Sequence, residues 1–176
     1  MTAAQSDALV LFGVTGDLAL KMIFPALYAL VKRDALQVPV IGVASPNWTH
    51  AQLCDRVQDS ITQSGGIDDQ LALDRLLSLL SYVSGDCNDK TIFEKIKVAL
   101  GGARRPAHYL AIPTALFATV ITGLGRAGLA DQARVIVEKP FGRDLASARE
   151  LNRIARSVFA EDSIFRIDPS SGRKRS

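Results

Sequence analysis

The residues best placed to do chemistry come early, at Gly13-Val14-Thr15-Gly16-Asp17-Leu18, with Lys21 about one helical turn further on. The turn lies between a short apolar run and a helical pattern. Glycines there let a backbone come close to a phosphate, and the N–H groups that open the following helix point at the anion, whose charge the helix dipole favours. Thr15 adds a hydroxyl donor and Lys21 a cation. The chemistry this predicts is the seating of a pyrophosphate, with Gly13 admitting the phosphates and Gly16 letting helix and strand pack closely. The usual fingerprint has a further glycine two positions before Gly13, where this sequence has Leu11, so spacing alone leaves an ordinary tight turn as the alternative.

The elements that must hold this turn follow from the apolar pattern. Ala8 to Phe12 (ALVLF) reads as a strand buried on both faces, and Asp17 to Arg33 as a helix. Val38 to Val43 is a second strand. Thr49 caps a helix bearing Leu53, Val57 and Ile61, Gly65-Gly66 breaks it, and Asp69 to Leu80 forms another helix. Tyr82-Val83 is a short third strand and Thr91 to Leu100 a helix. Gly101-Gly102 and Pro106 mark a loop before a strand at His108 to Ile112. Ala115 to Arg126 is a helix, Arg134 to Val137 a strand, Asp144 the cap of a helix reaching about Phe159, and Ile164 to Ile167 the start of a strand. Strands alternating with helices predict an α/β, Rossmann-like doubly wound fold, its mainly parallel sheet covered by helices on both faces. The domain is expected to span 1–168, with 169–176 a disordered, non-native tail.

Dinucleotide-binding folds of this kind often place Asp or Glu at the end of the second strand, to bind the ribose 2′-OH. Here Gly42, Val43, Ala44 and Ser45 carry no acid, which permits a 2′-phosphate without selecting it. Asp17 and Asp144 read by themselves as helix caps, and His50 and His108 as structural histidines. Tyr28 and Lys32 match a Tyr-x-x-x-Lys pair, but on the first helix, too early for the dehydrogenases that use one. Cys54 and Cys87 stand far apart in no motif and read as reduced thiols. No metal site is expected.

Composition narrows the class. Of the 176 residues, 48% are hydrophobic and 22% charged, which is a globular balance. The net charge of +3 is matched by Arg173, Lys174 and Arg175 in the tail, leaving a neutral body with no footprint for nucleic acid or membrane. No apolar run approaches the roughly 18 residues that cross a bilayer, and the start of the chain lacks a basic leader, so the cytoplasm is the expected compartment.

Four stretches resemble the glucose-6-phosphate dehydrogenase family. Gly13-x-x-Gly16-Asp17-Leu18-Ala19, with Lys21 and Pro25, is similar to its cofactor turn. Tyr109-Leu110-Ala111-Ile112-Pro113 resembles its strand beneath the nicotinamide. Glu138-Lys139-Pro140-Phe141-Gly142-Arg143-Asp144-Leu145 is similar to its most recognisable stretch, and Arg166-Ile167-Asp168 to the opening of its Arg-Ile-Asp-His signature. The resemblance implies that the cofactor is NADP. It would be held by Gly13, Thr15, Gly16, Asp17, Leu18 and Lys21, and further along by Tyr109, Ala111, Pro113 and Glu138. Ser45 falls where NADP-using members often carry Arg, so NAD is a possible second cofactor. Lys139 would reach both the cofactor and the sugar phosphate, and Asp168 would orient a catalytic histidine.

After Asp168 the pattern departs. Pro169-Ser170-Ser171-Gly172-Arg173-Lys174 stand where the family has His, an aromatic residue, Leu, Gly, Lys and Glu. Deleting one nucleotide from suitable codons for Asp-His-Phe-Leu-Gly-Lys-Glu-Ala-Val yields the observed tail. The expectation is therefore an NADP-binding domain without its α+β substrate domain or general base, inactive alone and forming no native-like dimer. The alternatives are a stand-alone dinucleotide module or a non-functional frameshift product. Glucose 6-phosphate would be a partner only of full-length members, which oxidise it to the lactone in the pentose phosphate pathway.

Overall fold

The computed structural model describes residues 6–138 and 144–167. Six strands, β1 (Ala8–Phe12), β2 (Val40–Ala44), β3 (Leu80–Ser84), β4 (Pro106–Leu110), β5 (Arg134–Glu138) and β6 (Ile164–Ile167), form one sheet in the order β3-β2-β1-β4-β5-β6. Every pairing is parallel. The helices are α1 (Phe24–Lys32), α2 (His50–Gln63), α3 (Gln70–Leu79), α4 (Thr91–Leu100), α5 (Phe117–Arg126) and α6 (Leu145–Val158). This is the doubly wound dinucleotide-binding order, whose direction reverses between β1 and β4.

The sheet divides two cores. Leu11, Val14, Val40 and Leu80 meet α1, α2 and α3 through Phe24, Leu53, Val57 and Leu73. On the other face Val10, Phe12, Ile41 and Val135 meet α4, α5 and α6 through Ile92, Ile96, Val120 and Leu151. The second core runs the full width of the sheet, whereas the first stops beside β4. Over β5 and β6 the first face carries no helix among the described residues, and Phe165 and Ile167 are exposed there.

Three local differences from the sequence pattern have physical causes. Pro106, expected in a loop, opens β4, where a missing N–H is tolerated at the first position of a strand. Asp17, expected as a cap, lies inside the helix, because Leu20 N–H bonds to Gly16 O at 3.2 Å and makes Gly16 the capping residue. Asp144 does cap α6, accepting from Ser147 N–H at 2.8 Å. The third difference is that the expected helix from Asp17 to Arg33 is not uniform. Ala19–Ile23 forms a π turn, closed by Phe24 N–H on Ala19 O.

Pro25 explains the widening. Its ring would strike the carbonyl four residues back, and it has no N–H to give. With Phe24 N–H spent on Ala19, the Leu20 carbonyl has no partner at either helical spacing. The Ser60 hydroxyl, 1% exposed on α2, donates to it.

His108, on β4, is fully buried between Phe12 and Phe159, and its Nε2 lies 2.9 Å from Leu129 O. Nδ1 meets no partner among the described residues. Burial pushes the ring's pKa down to about 4. Above the ordinary value of 6.5 both native and unfolded rings are neutral. Below it the unfolded chain takes a proton that the native ring refuses, so stability falls from pH 6.5 to about 4. Unfolding in urea at pH 7 and pH 4.5 should show His108→Gln losing roughly 2–3 kcal/mol less than the parent over that interval.

A second prediction concerns Ser60. Ser60→Ala should cost about 1–3 kcal/mol by stranding the Leu20 carbonyl. In a Pro25→Ala background, where an N–H returns to the helix, the same change should cost less than half as much in a double-mutant cycle of urea midpoints.

Candidate dinucleotide site

The expected site residues within the described chain gather at the carboxyl ends of β1, β2, β4 and β5. Gly13 follows β1 directly, with φ +88°. A Cβ built on it would lie 2.0 Å from Ala111 O and 3.1 Å from Ile112 Cγ2. Gly13 is therefore the point where the exits of β1 and β4 close on each other. Gly16 is exposed, and a Cβ there would meet only Gly13 O, at 3.4 Å. The roles expected of the two glycines are exchanged: Gly13 serves close packing, and Gly16 leaves open space in front of the turn. The close approach of turn to strand also needs Gly42 on β2, where a Cβ would fall 2.9 Å from Val14 Cγ2.

Hydrogen bonds fix the turn from three sides. Gly13 and Val14 N–H both go to Val43 O, at 2.8 and 3.3 Å, and Gly16 N–H goes to Gly13 O at 3.0 Å. Arg56 Nη2, from α2, donates to Thr15 O at 3.0 Å. The amides of Thr15, Asp17 and Leu18 take no part in these bonds. A pyrophosphate fits such a set: free N–H groups at the start of a helix, an open glycine, and exposed Lys21 within the first turns.

Ser45 stands exposed one residue beyond β2. Tyr82 stacks on Trp48 at 6.3 Å, and its hydroxyl donates to Pro46 O, which ties the segment after β2 to β3. On the far side of the reversal, Tyr109 OH donates to Glu138 Oε2 at 3.1 Å, joining β4 to the end of β5. Burial raises the Tyr109 pKa, with the Glu138 charge adding to it, so the phenol stays protonated. Burial also raises the Glu138 carboxyl, and the bond from Tyr109 partly offsets this. Ala111 N–H holds Phe12 O at 2.9 Å. Pro113 lines a cleft of about 740 Å³ with Thr114, Ala146, Ser147 and Glu150. Lys139, Asp168 and the tail 169–176 lie outside the described residues.

Other candidates resolve as structure. Tyr28 OH and Lys32 Nζ share Asp68 Oδ1, at 2.8 and 3.1 Å, and fasten α1 to the loop before α3. His50 Nε2 sits 3.0 Å from Leu80 O, at the start of β3 and so at the opposite end of that strand from the turn. Burial raises the pKa of both Cys54 and Cys87, which favours the thiol over the thiolate. No cluster among the described residues could hold a metal ion.

Comparison with known proteins agrees with this geometry. A family model described as "Glucose-6-phosphate dehydrogenase, NAD binding domain" matches residues 10–174. The chain belongs to the glucose-6-phosphate dehydrogenase family. Glucose-6-phosphate 1-dehydrogenase 1 of Mycobacterium tuberculosis is 46% identical over 169 residues, which are 96% of this chain and 36% of that protein. Cytoplasmic glucose-6-phosphate 1-dehydrogenase 6 of Arabidopsis thaliana is 30% identical, over 95% of this chain and 36% of its own length. The crystal structure of the Mycobacterium avium glucose-6-phosphate 1-dehydrogenase superposes with a TM-score of 0.88 at 49% identity, over 92% of this chain and 35% of that one. This chain thus spans about a third of the family members it matches, the part described as their NAD-binding domain. No helix among its described residues is long and apolar enough to cross a membrane.

Arg56 and Ser60 were not legible as site residues. The available signal was their spacing: two polar residues four apart, next to the apolar positions Leu53, Val57 and Ile61. The two glycines of the turn should separate in experiment. Gly13→Ala should cost more than about 3 kcal/mol or prevent folding, because backbone blocks its Cβ and its φ is positive. Gly16→Ala should stay within about 1 kcal/mol of the parent in urea unfolding.

Proposed function

We propose that this 176-residue chain binds NADP, and NAD as well, at the Gly13–Leu18 turn, and does not by itself oxidise glucose 6-phosphate. The observation that carries the reading is the turn itself, with the Thr15, Asp17 and Leu18 amides left over after every other bond of the loop is made. Ser45 supports the dual cofactor. A neutral hydroxyl at the end of β2 neither repels a 2′-phosphate, as a carboxylate would, nor draws it, as a guanidinium would. Gly13, Thr15, Gly16, Asp17, Leu18 and Lys21 would hold the pyrophosphate. Tyr109, Ala111, Pro113 and Glu138 would line the path of the nicotinamide half, with Lys139 joining them and Asp168 orienting a histidine supplied from elsewhere.

A bound nicotinamide supplies a hydride acceptor. The other requirement is a base that takes the hydroxyl proton of the sugar, held within hydrogen-bond reach. This sequence has two histidines, and both are committed: His108 is buried on Leu129 O, and His50 is bonded to Leu80 O at the start of β3. The Tyr109–Glu138 pair is bonded to itself and shifted toward its protonated forms. The described residues therefore offer the cofactor wall of a site, and neither histidine nor the Tyr109–Glu138 pair is free to accept the proton. Its relatives are named for their action on glucose 6-phosphate, and one solved relative, 32% identical with a TM-score of 0.83, is described as being in complex with that substrate. We assign this activity to the longer members and cofactor binding to this chain.

Trp48, the sole tryptophan, lies four residues beyond β2 and reports binding directly. Titration with NADP or NAD should change its fluorescence along a saturable curve, with the two dissociation constants within about tenfold of each other. Absorbance at the reduced-nicotinamide band should stay flat when glucose 6-phosphate is added. Turnover would remove the claim of a missing base, and absence of saturable binding by a folded chain would remove the cofactor assignment.

A further inference from the structure

The geometry points to Arg56 of α2 as a positioning residue for the phosphate turn, with Ser60 one helical turn on as its companion. This inference rests on the dinucleotide reading of the Gly13–Leu18 turn. Main-chain bonds account for Gly13, Val14 and Gly16, but the Thr15 carbonyl is held by a side chain, Arg56 Nη2 at 3.0 Å. The Thr15 carbonyl and the Gly16 N–H belong to one peptide plane, so fixing the oxygen fixes the direction of the amide. That same amide bonds to Gly13 O and sets the entry of the helix whose free N–H groups would meet the anion. Arg56 reaches the turn from 41 residues away and is half-buried in doing so. Its Nε is buried and meets no acceptor among the described residues, so the guanidinium is placed for the Thr15 contact at the expense of its own hydrogen bonding.

Ser60 extends the same contact. Residues four apart share a face of a helix, and Ser60 donates to Leu20 O in the π turn that carries Lys21. One face of α2 thus holds both ends of the segment from Thr15 to Leu20, with the Asp17 and Leu18 amides between the two fixed carbonyls. The guanidinium also keeps a positive charge beside the turn, which favours a bound pyrophosphate at short range.

The test uses the full chain carrying Arg56→Gln or Arg56→Lys. Three quantities are measured: hydrogen exchange of the Gly16 amide, the NADP dissociation constant, and that of adenosine 2′-monophosphate, which lacks the pyrophosphate. Arg56→Gln should speed Gly16 exchange about tenfold or more and weaken NADP about ten- to hundredfold. It should leave adenosine 2′-monophosphate within about twofold. Arg56→Lys, which keeps a charged donor, should recover most of both losses. A folded Arg56→Gln chain with unchanged Gly16 exchange overturns the inference, and so does equal weakening of the two ligands. If Arg56→Gln does not fold, the folded Arg56→Lys chain decides, because loss of Gly16 protection there overturns the role of a charged donor. If the parent chain binds no NADP, the cofactor reading fails, while Gly16 exchange still decides whether Arg56 holds the turn.

Discussion

The contact between Gly13 and the Ala111 carbonyl constrains everything around it. Two parallel strands that leave a sheet side by side and then turn opposite ways open a crevice between their exits. Here that crevice is closed at its floor, because β1 turns at a residue with no side chain and β4 passes over the vacancy. A methyl group at position 13 would stand 2.0 Å from the Ala111 oxygen, so the floor exists only with glycine. Val14, displaced by the same turn, packs onto Gly42, and the loop is thereby pressed against β2 as well as β4. The opening above the floor, at exposed Gly16, is what remains once these contacts are made. Close packing and open space are thus divided between two glycines three positions apart.

A constraint of the opposite kind acts one turn later. Pro25 removes a donor from a helix that is already forced into tight contact at its start, and the helix responds by widening rather than breaking. The cost falls on a single carbonyl, that of Leu20, and a buried hydroxyl from a neighbouring helix meets it. This makes α2 more than a crossover between β2 and β3. Its apolar residues Leu53, Val57 and Ile61 anchor it to the core under α1, and that anchorage lets Arg56 and Ser60 act as fixed points. Polar groups are held firmly only where the packing around them is rigid, and in this fold the apolar stripe and the polar pair occupy the same helix.

Much of the architecture was legible because its signals are local. The apolar run ALVLF, the Thr49 cap and the Asp144 cap each specify structure within a few residues, and each appears where the pattern placed it. The glycine turn was legible as a turn, and its membership in a cofactor site came from the resemblance across four separated motifs. What stayed hidden depends on distance in sequence. The exchange of roles between Gly13 and Gly16 requires knowing that Ala111 lies against one and nothing against the other. The Arg56 contact spans 41 residues and the Ser60 contact 40, and neither residue type announces its partner. Pro25 was visible throughout, but whether a proline inside a helix breaks, kinks or widens it depends on what can meet the freed carbonyl, here Ser60 from 40 residues away.

The distribution of titratable groups decides what kind of half-site this is. Catalysis of proton removal needs a group whose charged and neutral forms are both accessible near neutral pH, held facing the substrate. Burial removes that property from His108, whose ring is kept neutral down to about pH 4, and places it behind Phe12 in the core. The Glu138 carboxylate, at the end of β5, is spent on Tyr109, and burial of the pair works against the charged form of each. Backbone amides, in contrast, need no titration to bind an anion. The same sheet end that is well equipped to bind charge is therefore poorly equipped to move protons. That asymmetry is what the proposed reading, cofactor binding without proton transfer, requires of the described residues.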